Sequence, residues 1–157
     1  DNNKDIYGHT VENINVDASE LRQKYKYATI GIGQIKTPEP RINTYNELKK
    51  NNFVLPSFIS DLAYVSKEAK IQDSCMIMNM ANINSGATIN SNSIINTGAI
   101  IEHDVKIEKH CHISTGTIIN GGVTIGEGSF VGSGVILHEH VKINKNSIIP
   151  AGSIIKK

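Results

Sequence analysis

The sequence predicts a mostly β protein, a chain wound into a prism of short parallel strands, preceded by part of a small α/β unit. Three observations carry that expectation. An aliphatic residue recurs at every sixth position from Val65 through Ile71, Ile77, Ile83 and onward to Ile149 and Ile155. Two places before each stands a second column, Ala63, Ala69, Cys75, Ala81, Ala87, Ser93 and so on to Ser153, in which nothing is larger than Val. Aromatic residues make up only 5% of the chain and Trp is absent, so the interior cannot rest on large rings and draws on Ile instead. A period of six fits neither a helix at 3.6 nor an isolated strand at 2, but it fits two-residue strands alternating with corners. The larger aliphatic side chain points to the axis and the small one packs where the corner leaves little room.

Taken in order, residues 1–58 read as the α/β unit and 59–157 as the prism. The run YATIGIG over 27–33 reads as a short buried strand ending in the glycine turn of Gly31 and Gly33. RINTYNELKKNN over 41–52 reads as a helix with Pro40 at its start and Ile42, Tyr45 and Leu48 on one face. FVLPSFI over 53–59 leads into the repeat. Strand, glycine turn, helix, strand is the second half of an α/β unit, so its first strand and Gly-rich turn are expected ahead of Asp1. The preceding segment is expected to cover the first end of the prism, where strand edges would otherwise lie open. Asn and Gly near the corners accept left-handed backbone at low cost.

Charge and composition exclude several functions. Lys and Arg total 16 against 15 Asp and Glu, giving a formal charge of +1. No strongly basic surface for nucleic acid or an anionic membrane follows from that balance. No run of 18 apolar residues occurs, and the polar start DNNKDIYGHT does not read as a signal peptide. Two cysteines, Cys75 and Cys111, lack C-x-x-C spacing and lie in the small-residue column. They read as reduced core residues, which points to a cytoplasmic setting.

The period of six leaves the number of sides open; a three-sided coil of 18 residues would stack His103 under Gly121, Glu102 under Asn120 and His138, and Asp104 under Gly122 and His140. The run IEHDV over 101–105 sets a titratable His between two carboxylates at an outward position. Such a His suits general-base work near neutral pH, because a carboxylate favours the imidazolium that forms. The glycine one coil above offers an unobstructed N–H as an oxyanion donor. On these residues alone, a plain solvated corner explains the same run better than catalysis does. The pairs His110/His112 and His138/His140 each point to one side of a strand and are open to metal binding, although a surface reading suits His110, His138 and His140 better.

The stretches VTIGEGSFVGSG (123–134) and VKIEKHCHISTG (105–116) resemble the hexapeptide-repeat family, whose fold is a left-handed parallel β-helix of three hexads per coil. Residues 65–156 would supply a little over five coils. NTGAIIEHD, then HISTGT and GGVTIGEGSFVGSG, resemble more narrowly the sugar acetyltransferases of the NeuD/PglD type, well over 53–157 and loosely over 1–52. That resemblance implies an acetyl-CoA-dependent transfer to the amine or hydroxyl of a sugar, either a UDP-linked 4-amino sugar or a sialic acid. It implies His103 as general base, with Asp104, and Glu102 on its other side, favouring its charged form. It implies His112 and the Gly121 amide on the thioester carbonyl, with Ser133 and Ala151 lining the groove for the pantetheine arm. It further implies a homotrimer with the cofactor between adjacent prisms, no metal, and a sugar-nucleotide role for the N-terminal unit, with Asp1 at the end of its acidic loop.

Two other classes compete. A γ-type carbonic anhydrase shares this fold and holds zinc with three His across a subunit interface, but two coils on from His103 stands Glu139. A non-catalytic β-helix scaffold would explain the repeat without the spacing from the Glu-His-Asp corner to His112.

Overall fold

The computed structural model describes residues 18–157; Asp1 and its expected role lie outside them. A two-residue strand recurs every six residues from Phe58–Ile59 to Ile154–Ile155. Every pairing is parallel and joins residues 18 apart, as in Ile118 beside Ile100 and Ile136. Three sheets of six, six and five strands therefore form the faces of a three-sided parallel β-helix, consistent with the left-handed β-helix expected. Face one carries His112–Ile113 and Phe130–Val131, face two Ile100–Ile101 and Ile118–Ile119, and face three Lys106–Ile107 and Thr124–Ile125.

The two aliphatic columns fill the axis. Ile77, Ile83, Ile89, Ile95, Ile101, Ile107, Ile113, Ile119 and Ile125 are wholly buried, with Ala87, Ala99 and Cys111 packed between them. Polar members of the small column keep partners inside: Thr117 Oγ1 donates to Ser114 O at 2.7 Å, and Ser129 Oγ to Asn144 O at 2.9 Å. Both cysteines are buried free thiols, and burial pushes Cys111 up to about 12. Such a thiol stays protonated and packs as a small apolar group.

Each corner has two residues, and the second takes the left-handed conformation at every hexad from Ser74 to Gly152, with φ between +56° and +73°. Half of these positions are Gly, and Asn, Asp and His fill most of the rest. These are the side chains that tolerate that region best.

The N-terminal segment departs from the expected strand–turn–helix. It holds helix α1 (Ala18–Lys24) and helix α2 (Glu39–Lys50), which starts two residues before the expected 41–52. Residues 27–33 form no strand; a single parallel bridge joins Tyr27 to Val54. Ala18, Phe53 and Leu55 make a small second core with Leu21, Tyr45 and Leu48. Instead of lying only across the first end, the segment runs along the corner between faces three and one. There Arg41, 1% exposed, donates to Ile30 O, Ile32 O, Asn92 O and Ser74 O at 2.7–3.3 Å. Burial pulls this guanidinium down to about 10, and four carbonyls replace its lost water. Lys49 and Tyr45 of α2 both reach Asp73 on the same corner. Among the described residues no helix is long and apolar enough to cross a membrane.

Candidate active site

The corner between faces two and three carries the Glu-His-Asp run. Strand Ile100–Ile101 ends there and releases Glu102, His103 and Asp104 outward. Asp104 takes φ +59°, and its carboxylate meets the His103 ring, Nδ1 to Oδ2 at 3.0 Å. A carboxylate only accepts, so Nδ1 carries the proton and Nε2 is left as the basic nitrogen. The hydrogen bond to Asp104, with the charges of Asp104 and Glu102, raises the His103 pKa above its ordinary value. Both side chains are well exposed, at 65% and 73%.

The ring lies over the next coil as the 18-residue spacing predicts. A Cβ built on Gly121 would stand 2.5 Å from His103 Nε2 and 2.6 Å from its Cε1. Only glycine leaves this space to the imidazole. Gly122 N donates to His103 O at 3.0 Å and His140 N to Gly121 O at 3.0 Å, fixing the stack. Among the described residues the Gly121 N–H has no backbone acceptor. The His140 ring rests on Gly122, while the Asp104 carboxylate turns to Gly86 in the coil before it. His103, Asp104 and Gly121 are therefore brought together, and Glu102 contributes its charge.

His112 lies elsewhere. It stands nine residues beyond His103, which is half a coil, so it occupies face one on the opposite side of the prism. Its ring is 8% exposed and packs edge-on against Phe130. Nδ1 donates to Gln34 O at 2.6 Å, and burial lowers the pKa. Asn96 Oδ1 is taken by Thr97 N at 2.7 Å, so its Nδ2 faces His112 Nε2 at 3.3 Å as donor. His112 is thus a neutral imidazole with Nε2 an acceptor. Ser133 and Ala151 sit at the corner that ends face one, stacked through Gly152 N to Ser133 O at 2.8 Å. Ser133 Oγ is bonded to Ser114 Oγ at 2.9 Å. A Cβ on Gly132 would come within 2.5 Å of Ala151 N, so the small residues keep this corner thin.

His110 is not a surface residue. It is 6% exposed, with Nδ1 on Asn92 Nδ2 at 2.9 Å and its ring edge-on to Tyr45 of α2. Among the described residues no group of three or more His, Cys, Asp or Glu is placed to hold a metal ion. Gln34 and Asn96, which bond the two ring nitrogens of His112, are not marked in the sequence. Gln34 carries no motif, and Asn96 looks like any other corner residue.

Residues 104–138 and 122–157 match the bacterial transferase hexapeptide (six repeats) family. No curated protein sequence matches the chain. Among solved structures it resembles a histidine-to-asparagine variant of perosamine N-acetyltransferase from Caulobacter crescentus in complex with CoA and GDP-perosamine. That match has 25% identity and a TM-score of 0.93, over 98% of this chain and 72% of that one. PerB from the same organism, with CoA and GDP-perosamine, matches at 26% identity and TM-score 0.87 over 91% and 68%. The acetyltransferase domain of PglB from Neisseria gonorrhoeae FA1090 in complex with acetyl coenzyme A matches at 25% identity and TM-score 0.81 over 88% and 68%. Residues 104–157 thus carry the bacterial transferase hexapeptide repeat, and the chain shares its fold with perosamine N-acetyltransferase and the acetyltransferase domain of PglB.

Proposed function

We propose that the chain is an acetyl-CoA-dependent sugar acetyltransferase in which His103 is the general base. The observation that carries the residue assignment is the His103 ring, its Nδ1 tied to Asp104 and its Nε2 against Gly121. Nε2 takes the proton of the acceptor amine or hydroxyl as that atom attacks the thioester carbonyl. The Gly121 N–H holds the oxygen that becomes negative. As the C–S bond breaks, the imidazolium returns its proton to the departing thiolate, and His103 ends as it began. The named N-acetyltransferase among the neighbours favours an amine on a nucleotide-linked sugar over a sialic acid hydroxyl.

The same reading calls for more than one protomer. His103 and His112 are half a coil apart, so one prism cannot bring both to one acetyl-CoA molecule. Face two supports the way prisms meet: its outward column is Tyr64, Asn82, Ile100, Ile118, Ile136 and Ile154, whereas face three shows Lys70, Thr88, Lys106, Thr124 and Lys142. A homotrimer with face two toward the axis brings the His103 corner of one protomer to the neighbour's corner of Ser133 and Ala151. His112 lies just around that second corner, so the pantetheine arm runs between small residues and the acetyl group meets His103. Residues 59–157 then form the acetyltransferase domain, and residues 1–58 the unit that serves the sugar nucleotide. A cytoplasmic setting fits the acetyl-CoA supply and the two free thiols.

Thiol release from acetyl-CoA, measured with GDP- and UDP-linked 4-amino sugars and with a sialic acid, tests the function. Acceptor-dependent release supports it, and no release with any sugar while zinc-dependent CO2 hydration occurs would replace it.

A further inference from the structure

Resting on the reading above, we infer that Gln34 is a positioning residue that fixes His112 as a hydrogen-bond acceptor for an amide N–H of the pantetheine arm. The chain of contacts is closed at each link. Thr97 N holds Asn96 Oδ1, which turns Asn96 Nδ2 toward His112 Nε2. Gln34 O can only accept, so it requires a proton on Nδ1 at 2.6 Å. Nε2 therefore presents a lone pair. A ligand carbonyl, which also has only lone pairs, would repel it; a ligand N–H would bond to it. The Asn96 contact is long at 3.3 Å, and a better aligned ligand donor displaces it at small cost. His112 thus orients the cofactor arm, and the oxyanion is left to the Gly121 amide.

Gln34 is built for this task. It is 3% exposed and lies 78 residues from His112 in the chain. Its Nε2 donates to His110 O at 2.9 Å and to Gly128 O at 3.3 Å, clamping the arm to two successive coils at the corner before face one. That clamp aims the Gln34 carbonyl at the His112 ring. The N-terminal segment, which the fold does not need for its axial core, thereby sets the protonation geometry of the site.

Two variants and one spectrum test this. In [15N]histidine-labelled chain, with the signal assigned by a His112→Gln variant, a long-range 1H–15N spectrum should show His112 protonated at Nδ1 and bare at Nε2. Gln34→Met removes the clamp at similar volume; the single tautomer should give way to a mixture, and the KM for acetyl-CoA should rise about 3–10-fold, one hydrogen bond's worth, with kcat within about twofold. Asn96→Asp replaces the donor by an acceptor, pulls a proton onto Nε2, and should also raise that KM. A wild-type ring protonated at Nε2, an unchanged tautomer in Gln34→Met, or a lower KM in Asn96→Asp each overturns the inference. The spectrum is read without turnover, so failure of the acetyltransferase reading is seen separately as absent thiol release.

Discussion

Replacing Gly121 by Ala perturbs His103, the proposed base, without substituting it. The new methyl would lie 2.5 Å from His103 Nε2 and 2.6 Å from Cε1, against an ordinary contact of roughly 3.5–4.0 Å. The ring must therefore retreat by about 1 Å or more. It can do so, because the His103 side chain is 65% exposed and nothing else encloses it. Gly121 itself is not among the glycines with left-handed backbone, so alanine adds no strain there. Stability should change by less than about 1 kcal/mol, within the range of surface substitutions and one relaxed contact. Activity should fall much further. Misplacing a catalytic group by about 1 Å costs on the order of 10²-fold, and the methyl also crowds the N–H offered to the oxyanion. Steady-state thiol release under saturating acetyl-CoA and sugar nucleotide should give kcat down about 10²-fold, while a thermal melt moves by only a few degrees. Retention of more than half the wild-type kcat would refute the placement of the reacting atoms over Gly121.

Asp104→Asn removes the negative charge that helps raise the His103 pKa and leaves only a weaker, neutral amide oxygen as acceptor. With neutral His103 as the proposed base, the rate should fall as pH drops through that raised pKa; in the variant this acid limb should move to lower pH, and an unmoved limb in a pH–rate profile would assign it to another group. Ile113→Ala empties a wholly buried axial position and should cost about 2–5 kcal/mol in denaturant titration, whereas Asn120→Ala, at a partly exposed outward position, should stay within about 0.5 kcal/mol. Equal losses would contradict the register. Ile136→Glu puts a charge in the apolar outward column of face two; light scattering should then report a monomer with lost activity, and an intact, active trimer would place the interface on another face.

The prism was legible because its rule is local and repeated. One aliphatic at each sixth position fixes which side chain enters the axis, and the three-hexad coil implied by the family resemblance then places His103 under Gly121. The corner conformation was also readable in kind, since Asn, Asp, His and Gly occupy its left-handed position. The N-terminal segment was not. YATIGIG has the apolar content of a strand, but only Tyr27 finds a bridging partner, at Val54, and Ile30 is buried by tertiary packing instead. His110 reads as a polar corner, yet Tyr45 of α2 and Asn92 cover it. Nothing in the sequence marks Arg41 as a buried charge held by four carbonyls, or Gln34 as a neighbour of His112, because both contacts join segments tens of residues apart. The nine-residue spacing between the two histidines was visible in sequence, and the prism gives it physical meaning: the pair faces opposite ways.

The most direct test of the central claim is the kcat of His103→Ala with saturating acetyl-CoA and the sugar nucleotide that supports turnover. A general base contributes about 10²–10⁴-fold, so kcat should fall by that factor while the KM for acetyl-CoA, set at the groove of His112, Ser133 and Ala151, barely changes. His138→Ala serves as the control and should stay near wild type. A His103→Ala enzyme retaining more than half the wild-type kcat would show that another group takes the proton and that the Glu-His-Asp corner is a solvated turn.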